Sequence, residues 1–197
     1  MNLITEILLA SNNSHKVFEF QKIFPENIKI LTPKEIGIHF EVEETGTTFE
    51  ENAKIKSEHL FKLTNRPSIS DDSGLVVNAL NGEPGVYSAR FGKKNFTDKD
   101  RALFLLEKMQ NKDDRTAFYQ AVISFTDKNG TKFFSGKVHG LIMNNYDEIG
   151  KNGFGYDPIF YHEILKKRFS ECSIEEKNSV SHRNLAIQEF LKFFKEL

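Results

Sequence analysis

The sequence has no tryptophan, one cysteine, five prolines and no apolar run approaching the roughly 18 residues a membrane span needs. A single cysteine, Cys172, excludes an intrachain disulfide and a thiolate metal cluster, which suits a reducing compartment. Met1-Asn2-Leu3-Ile4-Thr5-Glu6-Ile7 carries no basic stretch followed by a long apolar one. Together these absences predict a soluble, cytoplasmic protein with no membrane partner. An excess of either charge is also missing, with 27 Lys and Arg against 28 Asp and Glu and a formal net charge of -1. A general nucleic-acid binder needs a basic excess, and no basic stripe with interleaved aromatics occurs, so no nucleic-acid partner is expected. Any phosphate this chain handles is met locally.

What is present is ordinary globular material. Hydrophobic residues make up 39% and charged residues 28%, enough for a real core in 197 residues, and 19 Phe supply the aromatic mass that tryptophan does not. The length predicts one domain over residues 1–197, built as two lobes. Repeats, low-complexity tracts and interdomain linkers are not seen.

Asp71-Asp72-Ser73-Gly74 stands out first. It places two carboxylates and a hydroxyl at a predicted break between two apolar, strand-like runs. An Asp/Ser/Gly surface turn is the plain reading, but adjacent like charges are tolerated best beside a cation. Upstream, Ile7-Leu8-Leu9-Ala10 reads as a buried strand running into Ser11-Asn12-Asn13-Ser14-His15-Lys16 and a helix with Val17, Phe20 and Phe24 on one face. Ser14 is the expected N-cap, and Lys16 in the first turn opposes the helix dipole, so a negative partner is expected there. Residues 38–46 read as extended and end in Glu43-Glu44-Thr45-Gly46. Thr47 with Glu50 and Thr48 with Glu51 form overlapping capping boxes that open a helix through about Leu63. Glu43 and Glu44 precede the cap and stay available as metal ligands or as solvated loop charges.

Thr97 caps a helix with Ala102, Leu105, Leu106 and Met109 on one stripe. Residues 116–126 alternate, Asn129-Gly130 predicts a type I′ turn, and a second extended run reaches Met143. A hairpin of that length suits the spine of a second lobe or a dimer surface. Gly150-Lys151-Asn152-Gly153-Phe154-Gly155-Tyr156-Asp157-Pro158 reads as a binding loop whose aromatic ring can lie against a planar ligand, or as a turn with Phe154 packed inward. Ser181-His182-Arg183 caps a last helix carrying Ala186, Phe190 and Phe194, and with Lys177 it gathers three donors at one helix start.

In their order and content these motifs resemble one family from end to end: the inosine triphosphate pyrophosphatases, also described as dITP/XTP pyrophosphatases. The resemblance rests on the segments beginning at Leu9, Glu43, Ser70, Gly82, Gly153 and Ser181. In the first loop Ser11 replaces the usual threonine and keeps its hydroxyl, while Asn12 and His15 are bulkier than the small residues often found there. The resemblance implies hydrolysis of aberrant purine nucleoside triphosphates (ITP, dITP, XTP) to a monophosphate and pyrophosphate, with Mg2+. It implies a mixed α/β fold with an elongated central sheet flanked by helices, two lobes with the nucleotide cleft between them, and a homodimer. On matching positions Glu43 and Asp72 hold the metal and Asp72 is the general base, with Asp71 and Glu44 as alternative ligands. Ser11, Asn12, Asn13, Ser14, His15 and Lys16 cradle the triphosphate, aided by Ser73 and Lys177. Phe154, Gly155, Tyr156, Asp157, His182 and Arg183 form the base pocket. A donor-only group such as Arg183 selects a 6-oxo purine over adenine; guanine is rejected at its 2-position by means the sequence leaves open.

The sequence admits two other readings. A Maf-like pyrophosphatase acting on other modified nucleotides keeps the fold and changes the substrate, and is disfavoured by the Phe154-Gly155-Tyr156-Asp157 loop and the Ser181-His182-Arg183 cap. A catalytically silent nucleotide-binding protein is disfavoured by the presence of Glu43, Asp72, Lys16 and Lys177 together.

Overall fold

The computed structural model describes residues 6–148 and 153–195. The start of the chain before Glu6, and Gly150, Lys151 and Asn152 of the expected binding loop, lie outside the described residues. In chain order, β1 (Glu6–Leu9), α1 (Ser14–Ile23) and β2 (Lys29–Leu31) are followed by α2 (Phe49–Thr64), β3 (Ser68–Val77) and α3 (Asp98–Lys108). Then come β4 (Thr116–Asp127), β5 (Gly130–Ile142), β6 (Phe160–His162), β7 (Lys167–Arg168), α4 (Ile174–Val180) and α5 (His182–Phe194). Among the described residues the strands make one open seven-stranded sheet in the order β2-β1-β3-β4-β5-β6-β7. β1 runs parallel to β2 and β3, as helical crossovers through α1 and α2 require, and β6 runs antiparallel to β5 and β7. This is the mixed α/β sheet with flanking helices that was expected.

Local chemistry explains where the boundaries fall. Ile7, Leu8 and Leu9 are fully buried, the continuous apolar run of a parallel strand covered on both faces. α1 begins one residue earlier than Ser14 as cap would allow: Asn13 is the N-cap, its side chain accepting from the His15 and Lys16 N–H groups. At α2 only Thr48 with Glu51 forms the capping box, and Thr47 also turns its hydroxyl to Glu51 rather than to Glu50. Residues 38–46 join no strand.

Two expectations are corrected. The predicted break at Asp71-Asp72-Ser73-Gly74 does not exist, because β3 runs through it from Ser68 to Val77. The Lys16 and Lys56 ammonium groups both donate to the Asp71 carbonyl, at 3.2 and 3.0 Å, and reach the carboxylates as well, Lys16 that of Asp71 and Lys56 that of Asp72, so the acids meet cations inside the strand. The hairpin turn is not type I′. It is centred on Lys128-Asn129, and of the two Asn-Gly residues only Gly130 has positive φ (115°). The Asp127 carboxylate accepts from the Asn129 backbone and side-chain amides, which fixes the turn one residue earlier.

The chain divides into two compact units. Described residues of the first fall within 1–72, 121–136 and 183–197, and those of the second within 73–120 and 137–182. The first packs Ile7, Leu9, Phe20, Ile69, Ile123, Phe125, Ala186 and Phe190 into its core, the second Leu75, Val77, Leu105, Tyr156, Phe160 and Phe169. The tip of the β4–β5 hairpin belongs to the first unit and its base to the second, so the hairpin is not the spine of one lobe.

Candidate active site

In the first unit β3 carries Asp71 and Asp72 into the interior, 2% and 6% exposed. Consecutive strand residues point to opposite faces, so the two carboxylates meet different partners. Asp71 Oδ2 lies 2.7 Å from Lys16 Nζ and 3.1 Å from Arg183 Nη2, and Arg183 Nη1 pairs with Glu19. Asp72 Oδ1 lies 3.5 Å from Lys56 Nζ, which pairs in turn with Glu44 Oε1 at 2.5 Å. Asp72 Oδ2 is buried without a hydrogen-bond partner among the described residues.

These surroundings separate the two acids. Burial alone would raise the Asp71 pKa, but the charges of Arg183, Lys16 and Lys56 outweigh it and hold the carboxyl far below the usual range. At Asp72 burial wins: its carboxyl is pushed up, with Lys56 and Lys16 opposing and the charges of Glu44 and Asp71 assisting. Burial also lowers the Lys16 pKa, opposed by Asp71. The neighbouring loop residues Asn12, Asn13, Ser14 and His15 are exposed and Ser11 half-buried, with Asn12 donating to the Phe40 carbonyl at 2.7 Å and Ser11 Oγ accepting the Asn13 N–H. Since Asn13 occupies the His15 and Lys16 amides, the positive charge at this helix start is the Lys16 side chain.

A second set assembles in the other unit. Asp157 accepts at Oδ2 from the Lys177 ammonium (2.6 Å) and the Phe154 N–H (2.8 Å), and at Oδ1 from the Tyr119 hydroxyl (3.3 Å). Lys177 Nζ sits 4.8 Å from the Phe154 ring centre, His182 stacks on Tyr119 at 4.9 Å, and Tyr156 donates to the Ser88 carbonyl at 2.9 Å. The expected group is therefore split between the units. Phe154, Gly155, Tyr156, Asp157, Lys177 and His182 lie in one, whereas Arg183 engages Asp71 and Glu19 in the other. Lys177 belongs to α4, not to the start of α5, and Ser73 is half-buried on β3.

With this geometry in view, the likeness to known proteins is decisive. The profile of the Ham1 family matches residues 7–193. The chain belongs to the Ham1 family. It is 52% identical over 192 residues to a dITP/XTP pyrophosphatase of Leptospira biflexa, covering 97% of each chain, and 47% identical to a dITP/XTP pyrophosphatase of Staphylococcus aureus over 92% of each. The solved structure of the Staphylococcus aureus Ham1 protein superposes with a TM-score of 0.88 at 46% identity, over 97% of this chain and 98% of that one.

Several residues of these two clusters carry little signal in the sequence. Lys56 is the foremost. It lies on the buried face of α2 with Phe49, Asn52, Ala53 and Leu60, and a lysine within an apolar stripe was a signal that could have marked it. Glu19, Tyr119 and Asp98, whose carboxylate accepts the Gly155 N–H, carried no comparable mark. In the first unit's cluster the carboxylates Glu19, Glu44, Asp71 and Asp72 outnumber the cations Lys16, Lys56 and Arg183 by one. Fully ionised, such a cluster repels a triphosphate and a divalent cation would reverse its sign. Among the described residues no three His, Cys, Asp or Glu side chains form a ready cage. Magnesium needs none, since one or two carboxylates with water and substrate phosphates suffice. The unpartnered Asp72 Oδ2 fits that role. Of the Glu43-Glu44 pair, Glu44 joins this network through Lys56, while Glu43 is exposed.

Proposed function

We propose that this chain is a nucleoside triphosphate pyrophosphatase that hydrolyses aberrant purine nucleoside triphosphates (dITP, ITP and XTP) to the monophosphate and pyrophosphate and so clears them from the nucleotide pool. The observation that carries the reading is Asp72: a buried carboxylate of raised pKa, one oxygen facing Lys56 and the other without a hydrogen-bond partner, in a Ham1 chain whose relatives are named dITP/XTP pyrophosphatases. A raised pKa makes Asp72 a better acceptor for the proton of an attacking water than an ordinary aspartate. Water adds across the α–β phosphoanhydride, its proton passes to Asp72, and pyrophosphate leaves. Lys16 and Lys56 offset charge on the triphosphate, together with the polar loop from Ser11 to His15, Ser73 and Lys177. Asp72 with the Glu43-Glu44 pair would hold Mg2+, which when bound supplies positive charge against the phosphate oxygens.

The base is taken by the Phe154 to Asp157 loop with His182. Arg183 acts as the donor toward a 6-oxo purine, and while it is bound to Asp71 and Glu19 it also orders the acid that neighbours Asp72. We place the enzyme in the cytoplasm as a homodimer. Its test is pyrophosphate release from ITP, dITP, XTP, GTP and ATP with magnesium, run beside Asp72→Asn. The expected outcome is turnover of the inosine and xanthosine substrates far above GTP and ATP, abolished in the variant. Binding of ITP without release of pyrophosphate would instead mark a nucleotide sensor.

A further inference from the structure

Asp157 is 2% exposed and both of its oxygens are engaged within its own unit, so it anchors the loop around it. The fit is close: a Cβ on Gly153 would collide with this carboxylate. One of its partners is Tyr119 on β4, 8% exposed, which also lies face to face with His182 (4.9 Å, 11°) and Phe169 (5.9 Å, 11°). One side chain therefore fixes both the loop's carboxylate and the imidazole. A second constraint comes from outside the motif. Asp98, the first residue of α3, accepts the Gly155 N–H at Oδ2 (2.9 Å) while its Oδ1 pairs with Arg101. Tyr119 and Asp98 thus hold successive parts of one loop, at Asp157 and at the Gly155 peptide.

We propose that Tyr119 and Asp98 are the positioning residues of the purine-binding loop 153–157, holding it so that the Phe154 ring meets a planar base in one orientation. The proposal rests on the pyrophosphatase reading for the identity of the ligand. An aromatic platform selects poorly by itself, because every base has a π-face. Discrimination then depends on holding platform and polar groups in register, which an untethered glycine loop cannot do.

The experiment compares wild type with Tyr119→Phe, Tyr119→Leu, Asp98→Ala and Asp98→Asn in steady-state kinetics on dITP, XTP and dGTP, with calorimetric affinity for inosine monophosphate. Loss of one loop hydrogen bond in Tyr119→Phe or Asp98→Ala is expected to lower kcat/KM for dITP about fivefold, mainly through KM, and to lower the dITP to dGTP preference. Tyr119→Leu, which also loses the stack on His182, falls further. Asp98→Asn keeps an acceptor oxygen and recovers most of the loss. Asp98 is exposed, so its variants report even where Tyr119→Leu fails to fold. Equal losses on dITP and dGTP, or an unchanged KM, would overturn the proposal. Wild type that binds inosine monophosphate without turning over dITP would refute the pyrophosphatase reading alone, and the loop is then judged by whether Asp98→Ala weakens that binding. Wild type that binds no purine nucleotide refutes both.

Discussion

Asp71 and Asp72 are neighbours on one strand whose surroundings drive them apart, and that difference predicts opposite consequences for the same substitution. Asp71 is held ionised by Arg183 and Lys16, so its folded pKa lies below the unfolded value. Its stabilisation is fully present above the ordinary aspartate pKa and is lost as the pH falls below it toward the folded value. Asp71→Asn leaves the buried Arg183 and Lys16 without their shared counter-charge and is expected to cost about 3–5 kcal/mol, read from urea denaturation at neutral pH. For Asp72 the sign reverses. Its folded pKa is raised, so stability falls as the pH rises through the window between the unfolded and folded values. Asp72→Asn is expected to abolish turnover yet raise Tm at neutral pH by about 2–4 °C, the shift that roughly 1 kcal/mol makes in a chain of this size. The gain should shrink toward acid pH; a Tm that drops at every pH would mean that Asp72 serves the fold more than the chemistry.

At the scale of the element, α2 joins what was legible to what was not. Its capping box at Thr48 and Glu51 is a local pattern and could be read directly. Which of its residues reach the site depends on the face turned inward. Asn52 Oδ1 accepts the Gly46 N–H at 2.8 Å, and one turn later Lys56 pairs with Glu44, so the helix clamps the acidic segment at two points. Gly46 is needed for this approach: a Cβ there would come within 2.6 Å of Glu51 Cβ and 2.7 Å of Asn52 Oδ1. Gly46→Ala must therefore push residues 43–46 away from α2. The magnesium concentration giving half-maximal activity is expected to rise about 10- to 100-fold, as for other supports of a metal ligand. A magnesium titration of the variant checks this, and an unchanged midpoint would place the metal away from Glu43 and Glu44.

For the whole molecule, the same distinction between local and distant information decides what had to wait for the structure. Strand, loop and helix order follow from periodicity and caps that span a few residues, so the motif positions were legible, and the motifs in turn carried the resemblance that implied the mixed sheet. The pairing of charges was not, because Lys16 and Arg183 reach Asp71 across 55 and 112 residues of chain. The continuous β3 was missed for the same reason, since its aspartates look like a turn until the distant lysines are in place. The first unit is likewise assembled from three separate stretches, the last of them α5. Ile187, Phe190 and Leu191 of that helix are all in its core, at 0%, 0% and 8% exposure. Burying three such side chains contributes roughly 5–9 kcal/mol, comparable with a whole folding free energy of about 5–15 kcal/mol. Removal of residues 182–197 also takes Arg183 from Asp71 and leaves that acid with less of its buried counter-charge. The truncated chain is expected to lose cooperative thermal unfolding and to be cleaved by trypsin under conditions where the full chain resists. A truncation that kept a sharp melting transition would show that the first unit closes its core without its last helix.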